Sequence, residues 1–273
     1  MSVNTVSVIM ACYNCEKTVR KAIDSILAQT YSDWIMICCD DGSSDNTFVV
    51  LNEYKALYPD KFIILKNDGN KKLPYSLNHC LEYVKTELVA RMDADDWSLP
   101  ERFAVQVKFL KEHPEYDLVS TGVTVFDGKN VVASIIKDYE EPTKESMLKE
   151  NAFSHATIMT YKRVYDALNG YSLKSYVERV EDVDLWCRFL AAGFRGYNLK
   201  DELYVVLEDD ASVKRRRFKS RLNSARTRRR GYKLMGFKGL TLIKPYKIVL
   251  YAFIPTFLYK FLHRRNLNRL SKQ

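Results

Sequence analysis

Four times in the first hundred residues, an apolar run short enough for a strand gives way to a polar turn and then to helical periodicity. Residues 6–10 lead through Ala11-Cys12-Tyr13-Asn14 into a segment whose Val19, Ala22, Ile23, Ile26 and Leu27 share one helical face. Residues 34–39 lead through Asp40-Asp41-Gly42-Ser43-Ser44-Asp45 into a helix over 47–58. Residues 62–65 precede a helix over 74–84, and residues 88–92 form a fourth strand. This alternation predicts a mostly parallel sheet covered by helices on both faces, because parallel strands need long crossovers. Open sheets of that kind bind ligands at the carboxyl ends of their strands, and each polar motif here follows a strand.

The fourth strand runs into Arg91-Met92-Asp93-Ala94-Asp95-Asp96, which places three carboxylates within four residues. Like charges so close repel and raise one another's pKa, so a fold that gathers them at a strand end usually does so around a cation. Oxygen-only ligands favour Mg²⁺ or Mn²⁺ over zinc. The alternative is a solvated acidic turn, with Asp96 and Ser98 capping the helix that starts near Pro100. Taken alone, the tract does not choose between them.

The second half is less regular. Residues 118–126 and 131–136, separated by Asp127-Gly128-Lys129-Asn130, predict a hairpin. Residues 181–192 have helical spacing in Val183, Trp186, Cys187 and Leu190, which favours a core role for Trp186 over a ligand-stacking one. The six cysteines are too few and too scattered for a disulfide scaffold and are expected to be reduced thiols.

Charge divides the chain sharply. All 34 acidic residues lie at or before Asp210, whereas 19 of the 43 Lys and Arg follow it, so the body carries −10 and the tail +19. A segregated basic tail calls for a local anionic partner. Neither a Gly-x-x-x-x-Gly-Lys-Ser/Thr loop nor a Gly-x-Gly-x-x-Gly follows the first strand, which argues against an ATPase and a dinucleotide enzyme. Carboxylates with a divalent ion can hold a diphosphate instead.

Five segments in order carry a resemblance: Ser7 to Asn14, Asp40 to Asp45, Leu73-Pro74-Tyr75-Ser76-Leu77-Asn78, Ala90 to Phe103, and Glu181-Asp182-Val183-Asp184-Leu185-Trp186. Together they resemble the family 2 inverting nucleotide-sugar glycosyltransferases, especially those that build bacterial O-antigen and capsular repeat units. The resemblance implies a GT-A fold, a Rossmann-like α/β arrangement, with a UDP-sugar donor, a Mn²⁺ or Mg²⁺ cofactor and a polyprenyl-diphosphate-linked acceptor. It implies that Tyr13 and Asp41 contact uracil or ribose with Glu16 and Asp40 nearby, and that Arg91 and Asp93 line the nucleotide and sugar. Asp95, with Asp93, would ligate the metal. Asp182 matches the general base, and His155 a residue near the diphosphate. Galactose or glucose is the expected sugar. The Gln-x-x-Arg-Trp motif of processive synthases is absent, so a single addition is expected.

The expected organisation is a catalytic domain over 1–210, with a nucleotide-sugar half (1–110) and an acceptor half (111–210). A basic, helical, amphipathic extension over 211–273 follows. In it the apolar run 248–259 falls short of the ~20 residues that span a bilayer and is interrupted by Pro255. It suits the interface of an anionic membrane, although it suits packing on the domain as well. No basic or longer apolar run precedes residue 6, so the expectation is a peripheral enzyme on the cytoplasmic face of the bacterial inner membrane. Two other functions compete: a metal-dependent nucleotidyltransferase, which lacks a glycine-rich basic loop here, and a basic-tailed nucleic-acid-binding protein. No nucleic-acid partner is expected under the leading assignment.

Overall fold

The computed structural model describes residues 6–207 and 218–250. The predicted alternation is present as β1 (Val6–Cys12), α1 (Val19–Leu27), β2 (Trp34–Asp40), α2 (Thr47–Leu57), β3 (Phe62–Lys66), α3 (Leu73–Glu82) and β4 (Leu88–Asp93). These strands pair in parallel in the order β3-β2-β1-β4. Successive side chains serve opposite faces. Val8, Met10, Met36 and Ala90 meet Ile23 and Leu51 in one core, while Ile9, Ile37 and Val89 meet Leu77 and Trp186 in the other. Burial on both faces is why these strands read as unbroken apolar runs.

Beyond β4 the same sheet continues in mixed sense through β5 (Trp97–Ser98), α4 (Arg102–Glu112), β6 (Leu118–Phe126), β7 (Val131–Ile135), β8 (Met159–Tyr161), α5 (Lys162–Leu168), α6 (Glu181–Ala191) and β9 (Gly196–Leu207). β8 lies between β4 and β6, antiparallel to both, and β9 runs parallel to β6. The expected hairpin is the antiparallel pair β6–β7. All six cysteines are free thiols.

One local expectation is overturned. Asp96 and Ser98 do not cap the helix after the acidic tract, because α4 starts at Arg102 and makes no side-chain cap bond. Asp96 Oδ1 instead accepts the amide of Leu207 at 3.0 Å, and Ser98 Oγ accepts from Arg102 Nη1 at 2.9 Å. The Leu207 amide, at the end of β9, needs an acceptor, and the tract supplies it.

The described part of the basic segment begins with α7 (Phe218–Leu234), which packs on α6, and continues through short helical turns to Leu250. Asn223, Thr227, Gly231 and Met235 recur every fourth residue and are all buried. A Cβ on Gly231 would lie 2.3 Å from Cys187 Sγ, so the helices approach more closely than any side chain there permits. Thr227 Oγ1 donates to the Tyr176 carbonyl at 2.9 Å, and Tyr232 OH to the Met147 carbonyl at 3.0 Å. Among the described residues no helix is long and apolar enough to cross a membrane. Lys214 to Arg217 and residues 251–273, with most of the run expected at the membrane interface, lie outside the described residues.

Candidate active site

Strand register assembles the first group of expected site residues. Cys12 sits opposite Asp40 and Ala11 opposite Asp93, so the residues that follow β1, β2 and β4 share one sheet edge. Tyr13 is 49% exposed there, which excludes a core role and leaves its ring free for a base. The two turns beside it clasp each other. Asn14, at φ 50°, donates its amide to Ser43 Oγ at 3.0 Å, and its Oδ1 accepts the Ser44 amide at 2.9 Å. The Glu16 amide donates to Asp45 Oδ2 at 3.1 Å, and Glu16 Oε2 accepts the Asn46 amide at 2.9 Å. Glu16 therefore ties the loops together. Gly42 has φ +70°, and a Cβ there would meet Gly69 Cα at 2.5 Å, so only glycine fits the turn.

Asp40 is fully buried, with the Ser43 amide 3.4 Å from both its carboxylate oxygens. Asp41 is also buried and accepts three N–H groups: Asn67 Nδ2 at 2.7 Å, the Lys71 amide at 2.8 Å and the Lys72 amide at 2.9 Å. A carboxylate offers roughly four lone-pair sites, so about one remains for a ligand. Asp41 thus pins residues 71–72 against the end of β2.

The acidic tract closes this edge. Asp93, Asp95 and Asp96 present carboxylate oxygens within 4.8 Å of one another, with Asp93 half-buried, Asp95 exposed and Asp96 buried. Burial, then the neighbouring Asp93 and Asp95, push the Asp96 carboxyl up to about 8. Arg91, itself buried, forms an ion pair with Asp93, and the Asp93 amide donates to Tyr204 OH at 3.0 Å. Three crowded carboxylates with an all-oxygen donor set fit a hard divalent cation such as Mg²⁺ or Mn²⁺.

The N-terminus of α6 faces this cluster electrostatically. Burial pushes Glu181 up to about 7, with smaller contributions from Asp182 and Asp93. Burial also raises the Asp182 pKa, opposed by the Val183 amide and by Arg228, Arg91 and Lys137. Asp182 Oδ2 accepts Asn151 Nδ2 at 3.1 Å, and Asn151 Oδ1 accepts Arg228 Nη2 at 2.8 Å. His155 Nε2 lies 2.8 Å from Tyr171 OH, and burial together with Arg91 holds its pKa well below the ordinary value, so the ring is neutral. Trp186 is core, edge-on to Phe153 at 5.1 Å. Buried polar atoms are almost always paired, yet Arg91 Nε, Glu181 Oε2 and Trp186 Nε1 have no partner. Two of these orphans lie close enough for the Arg91 charge to act on Glu181.

The glycosyl transferase family 2 model matches residues 7–167. The chain belongs to that family. Membership displaces the nucleotidyltransferase alternative. EpsE of Bacillus subtilis (strain 168), a glycosyltransferase by name, is 45% identical to this family 2 chain over 221 residues, 81% of this chain and 79% of EpsE. WfaP of Escherichia coli, a UDP-Glc:alpha-D-GlcNAc-diphosphoundecaprenol beta-1,3-glucosyltransferase, is 28% identical over 203 residues, 74% of this chain and 77% of WfaP. Among solved structures, S. aureus TarS 1–349 in complex with UDP-GlcNAc matches with a TM-score of 0.70 at 16% identity, over 91% of this chain and 71% of that one. The fold of this family 2 glycosyltransferase is GT-A, as its motifs lead one to expect.

Sequence motifs therefore locate Tyr13, Asp40, Asp41, Arg91, Asp93 and Asp95 at one edge, and Asp182 and His155 on the elements that face it. They miss Asn151, Tyr171, Tyr204 and Arg228. Asn151 and Arg228 carry no local signal, because they reach Asp182 only through tertiary contact.

Proposed function

We propose that this family 2 glycosyltransferase is an inverting, metal-dependent enzyme that adds one sugar, glucose or galactose, from a UDP-sugar to a polyprenyl-diphosphate-linked acceptor. Its setting is bacterial O-antigen, capsule or exopolysaccharide assembly, at the cytoplasmic face of the inner membrane, with residues 211–273 holding it there peripherally. The observation that carries the proposal is the position of Arg91. Its buried charge pairs with Asp93 on the donor side and biases the protonation of His155, Glu181 and Asp182 on the other. One cation thus joins the nucleotide edge to the base. The names of WfaP's donor and acceptor support the same substrate classes.

Inversion needs one displacement. The acceptor hydroxyl oxygen forms a bond to the anomeric carbon as the bond from that carbon to the UDP oxygen breaks, and the hydroxyl proton passes to Asp182. Asn151 orients this carboxylate, and the surrounding cations favour its charged form. Glu181, about half protonated near neutral pH, can hold an acceptor hydroxyl beside that base. Tyr13 offers a face to the uracil, while Asp41 and the clasped turns shape the pocket around the ribose. A divalent cation held by Asp95 and Asp93, with Asp96 behind them, would stabilise the negative charge of the departing diphosphate.

The test is a thermal-shift screen of nucleotide sugars with Mn²⁺, followed by transfer assays on Asp182→Asn. UDP-glucose or UDP-galactose should stabilise the wild type, and the variant should bind that donor normally while losing transfer. Failure of every UDP-sugar to stabilise the protein would remove the donor assignment. Wild-type turnover in Asp182→Asn would remove the base.

A further inference from the structure

α7 does more than cover α6. Beside its buried seam lie Arg226, Arg229 and Arg230, spaced i, i+3 and i+4 so that they project from neighbouring turns, and all three are exposed. With Ser175, Tyr176 and Tyr246 they line a cavity of about 340 Å³. Arg230 stacks over the Tyr176 ring at 4.3 Å. No carboxylate lines the cavity, and among the described residues none of these three arginines pairs with one. The chain has no Asp or Glu after Asp210 that could do so from the same segment.

Three guanidinium groups around one concavity repel unless an anion joins them. Their planar forks match phosphate oxygens bidentately, which lysine cannot do, and two tyrosines add hydroxyl donors. The location is equally specific. Ser175 and Tyr176 belong to the short turn Ser175–Val177, which leads within five residues to Glu181 and Asp182. Thr227 fastens α7 to the Tyr176 carbonyl, and Asn223 Nδ2 reaches the Ser175 carbonyl at 3.5 Å. The cavity is therefore tied to the turn that leads into α6, the helix whose first turn carries the candidate base.

We propose that this cavity is the subsite for the diphosphate group of the lipid-linked acceptor. It holds the anion on Arg226, Arg229 and Arg230 so that the attached sugar extends toward Asp182. This rests on the acceptor class proposed above. A flat anionic membrane would also attract arginine, but a concave, tyrosine-lined pocket anchored to the base helix fits a single diphosphate better than a lipid surface.

The experiment uses the full chain with UDP and Mn²⁺ at saturation, so that the donor site is filled, and titrates in farnesyl diphosphate by calorimetry. The wild type should bind it more tightly than orthophosphate. The double variant Arg226→Gln/Arg229→Gln, which keeps the Arg230–Tyr176 stack, should weaken that binding at least tenfold with the UDP affinity and melting temperature unchanged. Unchanged farnesyl diphosphate affinity in the double variant overturns the proposal. So does an outcome in which the variant loses flotation with phosphatidylglycerol vesicles but still binds soluble farnesyl diphosphate, which makes the arginines a membrane contact. In separate titrations without UDP, farnesyl diphosphate binding through these arginines in a protein that ignores every UDP-sugar would support the subsite while sinking the donor assignment.

Discussion

Asn151 donates its side-chain amide to Asp182 Oδ2 at 3.1 Å from a loop 31 residues earlier in the chain. Because Asn151 in turn accepts from Arg228, the basic helix reaches the candidate base through one intermediary. Asn151→Ala should lower kcat about tenfold or more, the scale of a hydrogen bond to a charged group, while leaving the donor KM unchanged. Steady-state kinetics in both substrates checks this. An unaltered kcat would make the bond incidental.

A pH profile tests the same link. In the proposed mechanism the acceptor proton passes to an ionised Asp182, and burial raises that group's pKa, so kcat/KM should fall as pH drops through the raised value. Arg228→Gln removes a cation that favours the charged form, so the acidic limb should move to higher pH. A limb that stays in place would show that Arg228 does not tune the base.

Asp96 predicts a stability dependence of the opposite sense to that of a salt-bridged carboxylate. Its folded pKa of about 8 exceeds the ~3.9 of an unfolded Asp, so the metal-free fold holds an extra proton between those values. Stability from this group is full below the unfolded pKa and is lost as pH rises through the folded one. Asp96→Asn should therefore raise the melting temperature by several degrees at pH 8 and hardly at pH 4. Thermal melts at the two pH values in the presence of EDTA decide it.

Manganese should reverse that loss. Binding to Asp93 and Asp95 competes with protons in the same cluster, so the metal-induced rise in melting temperature should be larger at pH 8 than at pH 6. In Asp93→Asn/Asp95→Asn the rise should vanish at both. An equal rise in that variant would place the ion elsewhere.

Tyr13→Ala separates binding from folding. Stacking on a base contributes ~1–3 kcal/mol, so the donor affinity should fall from severalfold to about a hundredfold. The side chain is half exposed, and stability should change by no more than about 0.5 kcal/mol. Calorimetry with UDP and a thermal melt read the two effects.

The sequence declares its strand ends because fully buried strands leave a plain signature, and the polar residues after them stand out against it. Helix starts and the β6–β7 hairpin are legible for the same reason. The role of Asp96 is not, since its partner is the amide of Leu207, 111 residues away. Nor does the charge pattern disclose how α7 packs. Its buried seam is built from Asn223, Thr227 and Gly231, none of them apolar in the usual sense, and hydrophobic periodicity passes over such a face. Spacing every fourth residue was the available signal. Asp41 illustrates a third limit: its position at a strand end marks a candidate ligand contact, but only the fold shows that Asn67 and the amides of Lys71 and Lys72 engage most of its carboxylate.

The insertion of β8 between β4 and β6 bears on how such enzymes can be re-engineered. The strand that carries the acidic tract is bonded on one side to β1 and on the other to a strand drawn from some seventy residues later. Cutting the chain after the first hundred residues would bare the edge of β4, and an unpaired edge of that kind invites aggregation. Donor preference in this scaffold is therefore to be exchanged by grafting turns onto an intact sheet, and not by shuffling one half of the chain against another.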